Sequence, residues 1–152
     1  MGRTAGQTDG IDRVAEERAF QMPPLVLAYV GDAVWELAVR EMLAVKGERR
    51  PHRLHRSAVP YVQAGGQADR LSRILPGLTA REHSVLMRGR NAKSGSVPRS
   101  ATVGEYRLST GFEALLGYLH LAGDTGRLDE LLATLLGGGP GKENVEGTVD
   151  GP

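Results

Sequence analysis

Two acidic residues stand in segments that are otherwise almost wholly apolar. Asp32 lies within residues 25–39, and Glu113 lies within residues 111–119. Stripping water from an unpaired carboxylate is costly, so such a group is paired, protonated or bound to a cation. We expect two buried acids on two apolar helices. Carboxylates in a chain without cysteine suit Mg²⁺, which binds a few carboxylates together with water and phosphate oxygens.

Each acid alone is also compatible with a structural ion pair, because the chain has 19 Lys and Arg. Asp32 lies one helical turn from Ala28 and from Glu36, which places it on or beside the expected buried face. Its neighbour Gly31 leaves room for another backbone or a ligand. Two such acids in a chain that also has a strongly basic segment, described below, favour a metal site. Mg²⁺ can activate water and stabilise the leaving oxygen in phosphodiester cleavage.

The middle of the chain is strongly basic, although the net charge is only +1. Residues 46–107 contain 13 Lys or Arg and 4 Asp or Glu. This pattern favours a face that binds a polyanion such as nucleic acid, and a solvated basic surface is the alternative. The predicted phosphate contacts lie in and around a basic helix after Pro51 and in the loop 92–101. They are Arg49, Arg50, Arg53, Arg56, Arg90, Lys93 and Arg99.

The elements that would position these residues are all helical. Pro23 and Pro24 open a long helix that runs to about Val45 and ends at Gly47. Capping boxes beginning at Thr79 and Thr102 predict helices that run to about residue 91 and to about residue 122. Shorter helices are expected over about 11–20 and 127–136. Two further helical stretches are expected between Pro51 and Pro76, and Pro60 is expected to kink or divide the first of them. No segment alternates convincingly like a strand, so the fold class is all-α.

The length of 152 residues suits one domain. We expect a partly disordered N-terminal extension over residues 1–22, a helical domain over 23–137 and a flexible tail over 138–152. The absence of cysteine excludes disulfides and thiolate metal sites. No apolar run approaches the roughly 20 residues that span a bilayer, and the N-terminus lacks the apolar core of a signal peptide. A cytoplasmic protein without a membrane partner is therefore expected.

Two motifs resemble a known family. Gly31-Asp-Ala-Val34, followed about 80 residues later by Thr110-Gly-Phe-Glu-Ala-Leu-Leu-Gly117, resembles the ribonuclease III endonuclease domain. The resemblance covers about residues 23–137. It implies a ribonuclease III-like helical fold, a homodimer and Mg²⁺-dependent endonucleolytic cleavage of double-stranded RNA. It also implies that Asp32 and Glu113 are the catalytic, metal-binding carboxylates.

The chain departs from standard ribonuclease III in three features. Ala28 and Thr110 stand where standard members have acids, and we expect no double-stranded-RNA-binding domain after the catalytic one. These features resemble Mini-ribonuclease III, the short form of the family. That resemblance implies maturation of the ends of 23S (large-subunit) ribosomal RNA precursor, and a ribosomal protein on the RNA substrate is a further candidate partner. With fewer acids, water or the Thr110 hydroxyl is expected to complete the metal coordination.

Two other functions stay open at the level of sequence. One is a non-catalytic RNA-binding or assembly module with the same fold, and the other is a helical dimerisation protein with salt-bridged carboxylates. Retention of both Asp32 and Glu113 favours the enzyme. Trp35 either packs near the twofold seam of a dimer or is an ordinary core residue.

Overall fold

The computed structural model describes residues 12–92, 95–97, 99 and 101–137. The helices are α1 (Arg13–Gln21), α2 (Pro24–Val45), α3 (Pro51–Val62), α4 (Ala64–Leu71), α5 (Ala80–Asn91), α6 (Val103–Leu121) and α7 (Thr125–Leu136), with a short 3₁₀ turn at Leu75–Gly77. Because these residues form helices and no strands, the all-α class is confirmed. Of the predicted N-terminal extension over 1–22, only residues 12–22 are described, and they form α1 and the start of its linker to α2. The predicted tail over 138–152 lies outside the described residues.

The core is built around the contact between α2 and α6. Trp35 of α2 and Phe112 of α6 are both fully buried, and their rings meet edge to face with centroids 5.0 Å apart. Leu115, Leu116 and Leu119 continue the buried face of α6. The 19 residues of α6 are therefore largely internal, with α2 against one side and α5 against another.

Two glycines set the distance between α2 and α6. A Cβ atom on Gly31 would lie 1.6 Å from the carbonyl oxygen of Glu113, and one on Gly117 would lie 1.9 Å from the carbonyl oxygen of Leu27. Such distances are far inside van der Waals contact, so neither position has room for any side chain. The backbone of α2 thus touches that of α6 beside both predicted acids.

Most of the predicted helix ends are confirmed. Thr79 and Thr102 both form complete capping boxes at the starts of α5 and α6. The chain leaves α2 through Gly47, with φ +100°, and leaves α6 through Gly123, with φ +72°. Glycine adopts these angles without the steric cost that a side chain brings.

The differences from the predicted elements are local. Pro60 does not divide its helix but lies inside α3, and the break comes at Gln63, whose extended backbone separates α3 from α4. The last helix begins two residues earlier than predicted, because the Asp124 side chain caps it by accepting a hydrogen bond from the Arg127 amide. Similarly, Asp12 caps α1, which starts at Arg13.

No individual helix among the described residues has the length and apolar character to cross a bilayer; α1 and α2 meet those criteria only as a pair, and the chain bends by 113° between them.

Candidate active site

A cavity of about 450 Å³ opens beside the contact between α2 and α6, next to the junction of α3 and α4. Asp32 and Glu113 both line it. The other lining residues are Leu25, Ala28, Tyr29, Val62, Gln63, Ala64, Ala101, Tyr106, Ser109 and Thr110. The fold therefore brings the two predicted acids, which are distant in sequence, to a single concave surface.

The expectation that both acids are buried is wrong for Asp32. Glu113 is half-buried, but Asp32 is exposed. Gly31 occupies the contact with α6, and because a helix turns by about 100° per residue, the next side chain leaves that contact. Asp32 therefore reaches the cavity from its open side and keeps access to water.

The Glu113 carboxyl lies in an unfavourable environment for negative charge. Burial raises its pKa, and the nearby Asp32 carboxylate raises it further, whereas a hydrogen bond from Gln67 opposes both effects; the resulting pKa is about 8. A buried carboxyl whose ionisation is further disfavoured by a neighbouring carboxylate is an arrangement that a bound cation relieves.

The residues present fit a hard divalent cation that needs few protein ligands. Both acids offer carboxylate oxygens, and the cavity has room for water molecules. Within the described ranges, no group of three or more His, Cys, Asp or Glu is placed to hold a metal ion. Mg²⁺ commonly binds one or two carboxylates and completes its coordination with water and substrate phosphates. The donor set therefore suits Mg²⁺ better than zinc.

Ala28 and Thr110, the two positions expected to carry acids in standard ribonuclease III, also line the cavity. Ala28 and Thr110 are 6% and 7% exposed, and they lie on the walls that carry Asp32 and Glu113. The Thr110 hydroxyl donates a hydrogen bond to the carbonyl oxygen of Tyr106 at 3.0 Å. Its proton is therefore used within α6, and only its oxygen is free to accept a hydrogen bond or approach a cation.

Gln67 is not among the predicted site residues, yet it contacts Glu113. Its side chain is 0% exposed, and its Nε2 donates to Glu113 Oε1 at 3.1 Å. Its Oε1 accepts a hydrogen bond from the Ser109 hydroxyl. The sequence does carry a signal, since Gln67 stands at the helical spacing of Ala64 and Leu71, where an apolar residue would be expected.

Six of the seven predicted phosphate contacts fall on described residues, and all six are exposed. They are Arg49, Arg50, Arg53, Arg56, Arg90 and Arg99. Lys93 lies outside the described residues. None of the six side chains forms an ion pair with another described residue. They are therefore available to an external polyanion.

Other arginines of the basic middle have structural contacts. Arg88 donates to the carbonyl oxygens of Phe20 at 2.7 Å and Met22 at 3.0 Å, which ties the end of α1 to α5. Arg70 donates to the carbonyl oxygen of Leu135 at 3.0 Å. The charge available for binding is thus smaller than the composition of residues 46–107 suggested.

Trp35 is an ordinary core residue, one of the two alternatives left open by the sequence. It is 0% exposed, and its Nε1 donates to the carbonyl oxygen of Tyr61 at 2.8 Å. This hydrogen bond links α2 to the end of α3, close to the cavity.

Comparisons with known proteins identify the family of this chain. The family described as Ribonuclease III domain matches residues 25–124. Mini-ribonuclease 3 of Symbiobacterium thermophilum is 54% identical over 111 residues, covering 73% of this chain and 85% of the relative. Mini-ribonuclease 3 of Brevibacillus brevis is 47% identical over 72% of this chain and 81% of the relative.

A solved structure has a similar fold. The crystal structure of a Fusobacterium nucleatum protein aligns with a TM-score of 0.67 and 28% identity, covering 74% of this chain and 89% of that one. Residues 25–124, which the family model matches, include all residues that line the cavity and both of its acids. The chain therefore belongs to the ribonuclease III family of endoribonucleases, together with the relatives named Mini-ribonuclease 3.

Proposed function

We propose that this endoribonuclease cleaves double-stranded RNA at the cavity between α2 and α6 in a Mg²⁺-dependent reaction. Asp32 and Glu113 are the proposed catalytic, metal-binding residues. The observation that supports this most is that both carboxylates line one cavity, on two helices whose spacing is set by Gly31 and Gly117. Because the acids sit on helices in direct backbone contact, their separation does not depend on a loop.

The two acids have different surroundings, which suggests different tasks. Glu113 is half-buried and held by Gln67, so it provides the less mobile oxygen ligand. Asp32 is exposed and lies where water and a phosphate group can approach. When bound, a divalent cation supplies activation of water and neutralisation of the leaving oxygen.

The exposed arginines around α3 are proposed to bind the RNA backbone. Duplex RNA is recognised mainly through its shape and phosphates, and affinity from phosphate contacts falls steeply with salt. Changing Arg53 and Arg56 together to Ala is expected to weaken binding and to lower the slope of log K against log salt by about 2. Arg40→Ala is a matched control, because Arg40 is exposed but paired with Glu36 at 2.5 Å.

The end of α5 and the loop 92–101 are proposed to add contacts, from Arg90 and from Lys93 and Arg99 respectively. The test of the loop is the same salt titration, together with cleavage kinetics, with Lys93 and Arg99 both changed to Ala. An unchanged KM and an unchanged salt slope would remove the loop from the proposed RNA interface.

A homodimer is proposed from the apolar surface of α2. Leu25, Val26, Tyr29 and Leu37 are 41%, 46%, 83% and 59% exposed, which is unusual for large apolar residues. A twofold dimer would cover part of this surface and present two sites to the two strands of a duplex. Sedimentation equilibrium of the wild type and of Leu37→Glu tests this proposal, which predicts a dimer whose dissociation constant rises in the variant.

The natural substrate is proposed from the resemblance to the short form of the family. We infer maturation of 23S ribosomal RNA precursor in the cytoplasm, by a domain over residues 23–137, with a ribosomal protein on the RNA as a candidate partner. Incubation with precursor RNA, naked and bound to ribosomal proteins, tests both points. Products whose ends differ from the mature ones under both conditions would contradict this assignment.

The catalytic proposal is tested with duplex RNA and Mg²⁺, using wild type, Asp32→Asn and the control Asp129→Asn. Asp129 is an exposed acid on α7 that does not line the cavity. Cleavage by the wild type and the control, but not by Asp32→Asn, supports the proposed site. Binding without cleavage by the wild type would favour a non-catalytic RNA-binding module, and neither binding nor cleavage would favour a dimerisation protein.

A further inference from the structure

A buried amide connects two helices behind the cavity. Gln67 projects from α4, and its side chain is 0% exposed. It contacts two residues of α6, Ser109 and Glu113, which lie one helical turn apart on the same face. Gln67 thus reaches across from α4 and holds the side chain of a proposed metal ligand.

The two contacts of Gln67 together define which end of the amide faces Glu113. A glutamine amide has an acceptor oxygen at one end and a donor NH₂ group at the other. The NH₂ group donates to Glu113 Oε1 at 3.1 Å, and Oε1 of the amide accepts a hydrogen bond from the Ser109 hydroxyl. The reverse orientation would bring the amide oxygen against the carboxylate, where two acceptors repel each other.

We propose that Gln67, hydrogen-bonded to Ser109, is a positioning residue that holds the Glu113 carboxylate in the conformation that binds a divalent cation. The proposal rests on the proposed role of Glu113 as a metal ligand. The amide occupies one oxygen of the carboxylate and restricts its rotation, and Gln67 makes no hydrogen bond to the other oxygen. Hydrogen-bonding partners of metal ligands commonly act in this way, and their loss typically weakens metal affinity or activity 10- to 100-fold.

A purely structural role for Gln67 is the competing explanation, since a buried amide must satisfy its own hydrogen bonds. The two roles differ in what is lost on substitution. Gln67→Leu keeps similar volume but removes both hydrogen bonds, and Ser109→Ala removes only the hydroxyl that supports the amide oxygen of Gln67. Leu71→Ala is the matched control, because Leu71 lies one turn further along α4, is 1% exposed and does not line the cavity.

The experiment measures Mn²⁺ affinity of the full chain by calorimetry without RNA, and separately the Mg²⁺ concentration for half-maximal cleavage of duplex RNA. Gln67→Leu is expected to weaken Mn²⁺ binding by roughly 10-fold or more and to raise the half-maximal Mg²⁺ concentration in parallel. Ser109→Ala is expected to change both in the same direction by a smaller factor. Leu71→Ala is expected to lower the melting temperature and leave both metal readouts unchanged.

Three results would overturn the proposal, and they are distinguishable. Wild-type affinity in Gln67→Leu and Ser109→Ala removes the positioning role while leaving the proposed function intact. An equal loss of affinity in Leu71→Ala assigns the effect to the stability of α4. A wild-type chain that binds no Mn²⁺ overturns the proposed role of Glu113 itself, and with it this inference. If Gln67→Leu does not fold, the result for Ser109→Ala gives the answer.

Discussion

Replacing Gly31 with alanine should separate α2 from α6 and disturb the cavity. The added Cβ would lie 1.6 Å from the carbonyl oxygen and 2.5 Å from the carbonyl carbon of Glu113. Ordinary contact begins near 3.4 Å, so the two backbones must move apart by about 2 Å. Overpacked core substitutions cost about 1–3 kcal/mol, and a collision with backbone belongs at the upper end. A loss of about 3 kcal/mol lowers the melting temperature of a chain of this size by roughly 10 °C.

The assay is thermal unfolding followed by circular dichroism, combined with duplex RNA cleavage at a temperature where the variant is folded. Gly31→Ala should lower both the melting temperature and the cleavage rate, because the movement changes the separation of Asp32 and Glu113. Gly126→Ala is the matched control, because a Cβ atom on Gly126 would meet nothing within 4 Å. The melting temperature of this control should equal or exceed that of the wild type. A Gly31→Ala protein that melts within 2 °C of the wild type and cleaves at the same rate would refute the reasoning.

Three further changes test other parts of the fold. Trp35→Phe removes the hydrogen bond to Tyr61 and should cost about 2 kcal/mol in chemical denaturation; an unchanged denaturation midpoint contradicts this. Burial alone would raise the pKa of Glu82, but hydrogen bonds from Arg127 and from Thr79, together with the positive charge of Arg127, outweigh burial and lower the pKa. These contacts therefore stabilise the fold at neutral pH, and the difference in melting temperature between wild type and Glu82→Gln should shrink as the pH falls below the usual range of a glutamate pKa; a constant difference contradicts it. Thr102→Ala removes the cap of α6 and should cost about 1 kcal/mol, measured by the same denaturation.

Local signals in the sequence predicted most of the helices. Proline at the start of α2, the capping boxes of α5 and α6, and the glycines that follow α2 and α6 act within a few residues of where they stand. Such signals do not depend on tertiary packing, so they can be recognised without a structure. The end of α3 was harder to predict, because Pro60 fits within its last turn while the break occurs at Gln63.

The sequence singled out two acids that line the cavity, but it did not predict their environment. Asp32 and Glu113 stand out as acids in apolar segments, and both line the cavity. The exposure of Asp32 could not be predicted, because it depends on Gly31 taking the place against α6. Gln67 was missed for a related reason, since its importance comes from α4 packing across Glu113 rather than from any nearby motif.

The central claim is that Asp32 and Glu113 together bind a divalent cation. The most direct test is X-ray diffraction from crystals of the protein soaked in Mn²⁺, with data collected to record the anomalous scattering of manganese. The account predicts an anomalous peak between the two carboxylates in the wild type and its loss in Glu113→Gln. Well-occupied Mn²⁺ at other positions, with none between these two side chains, would contradict it.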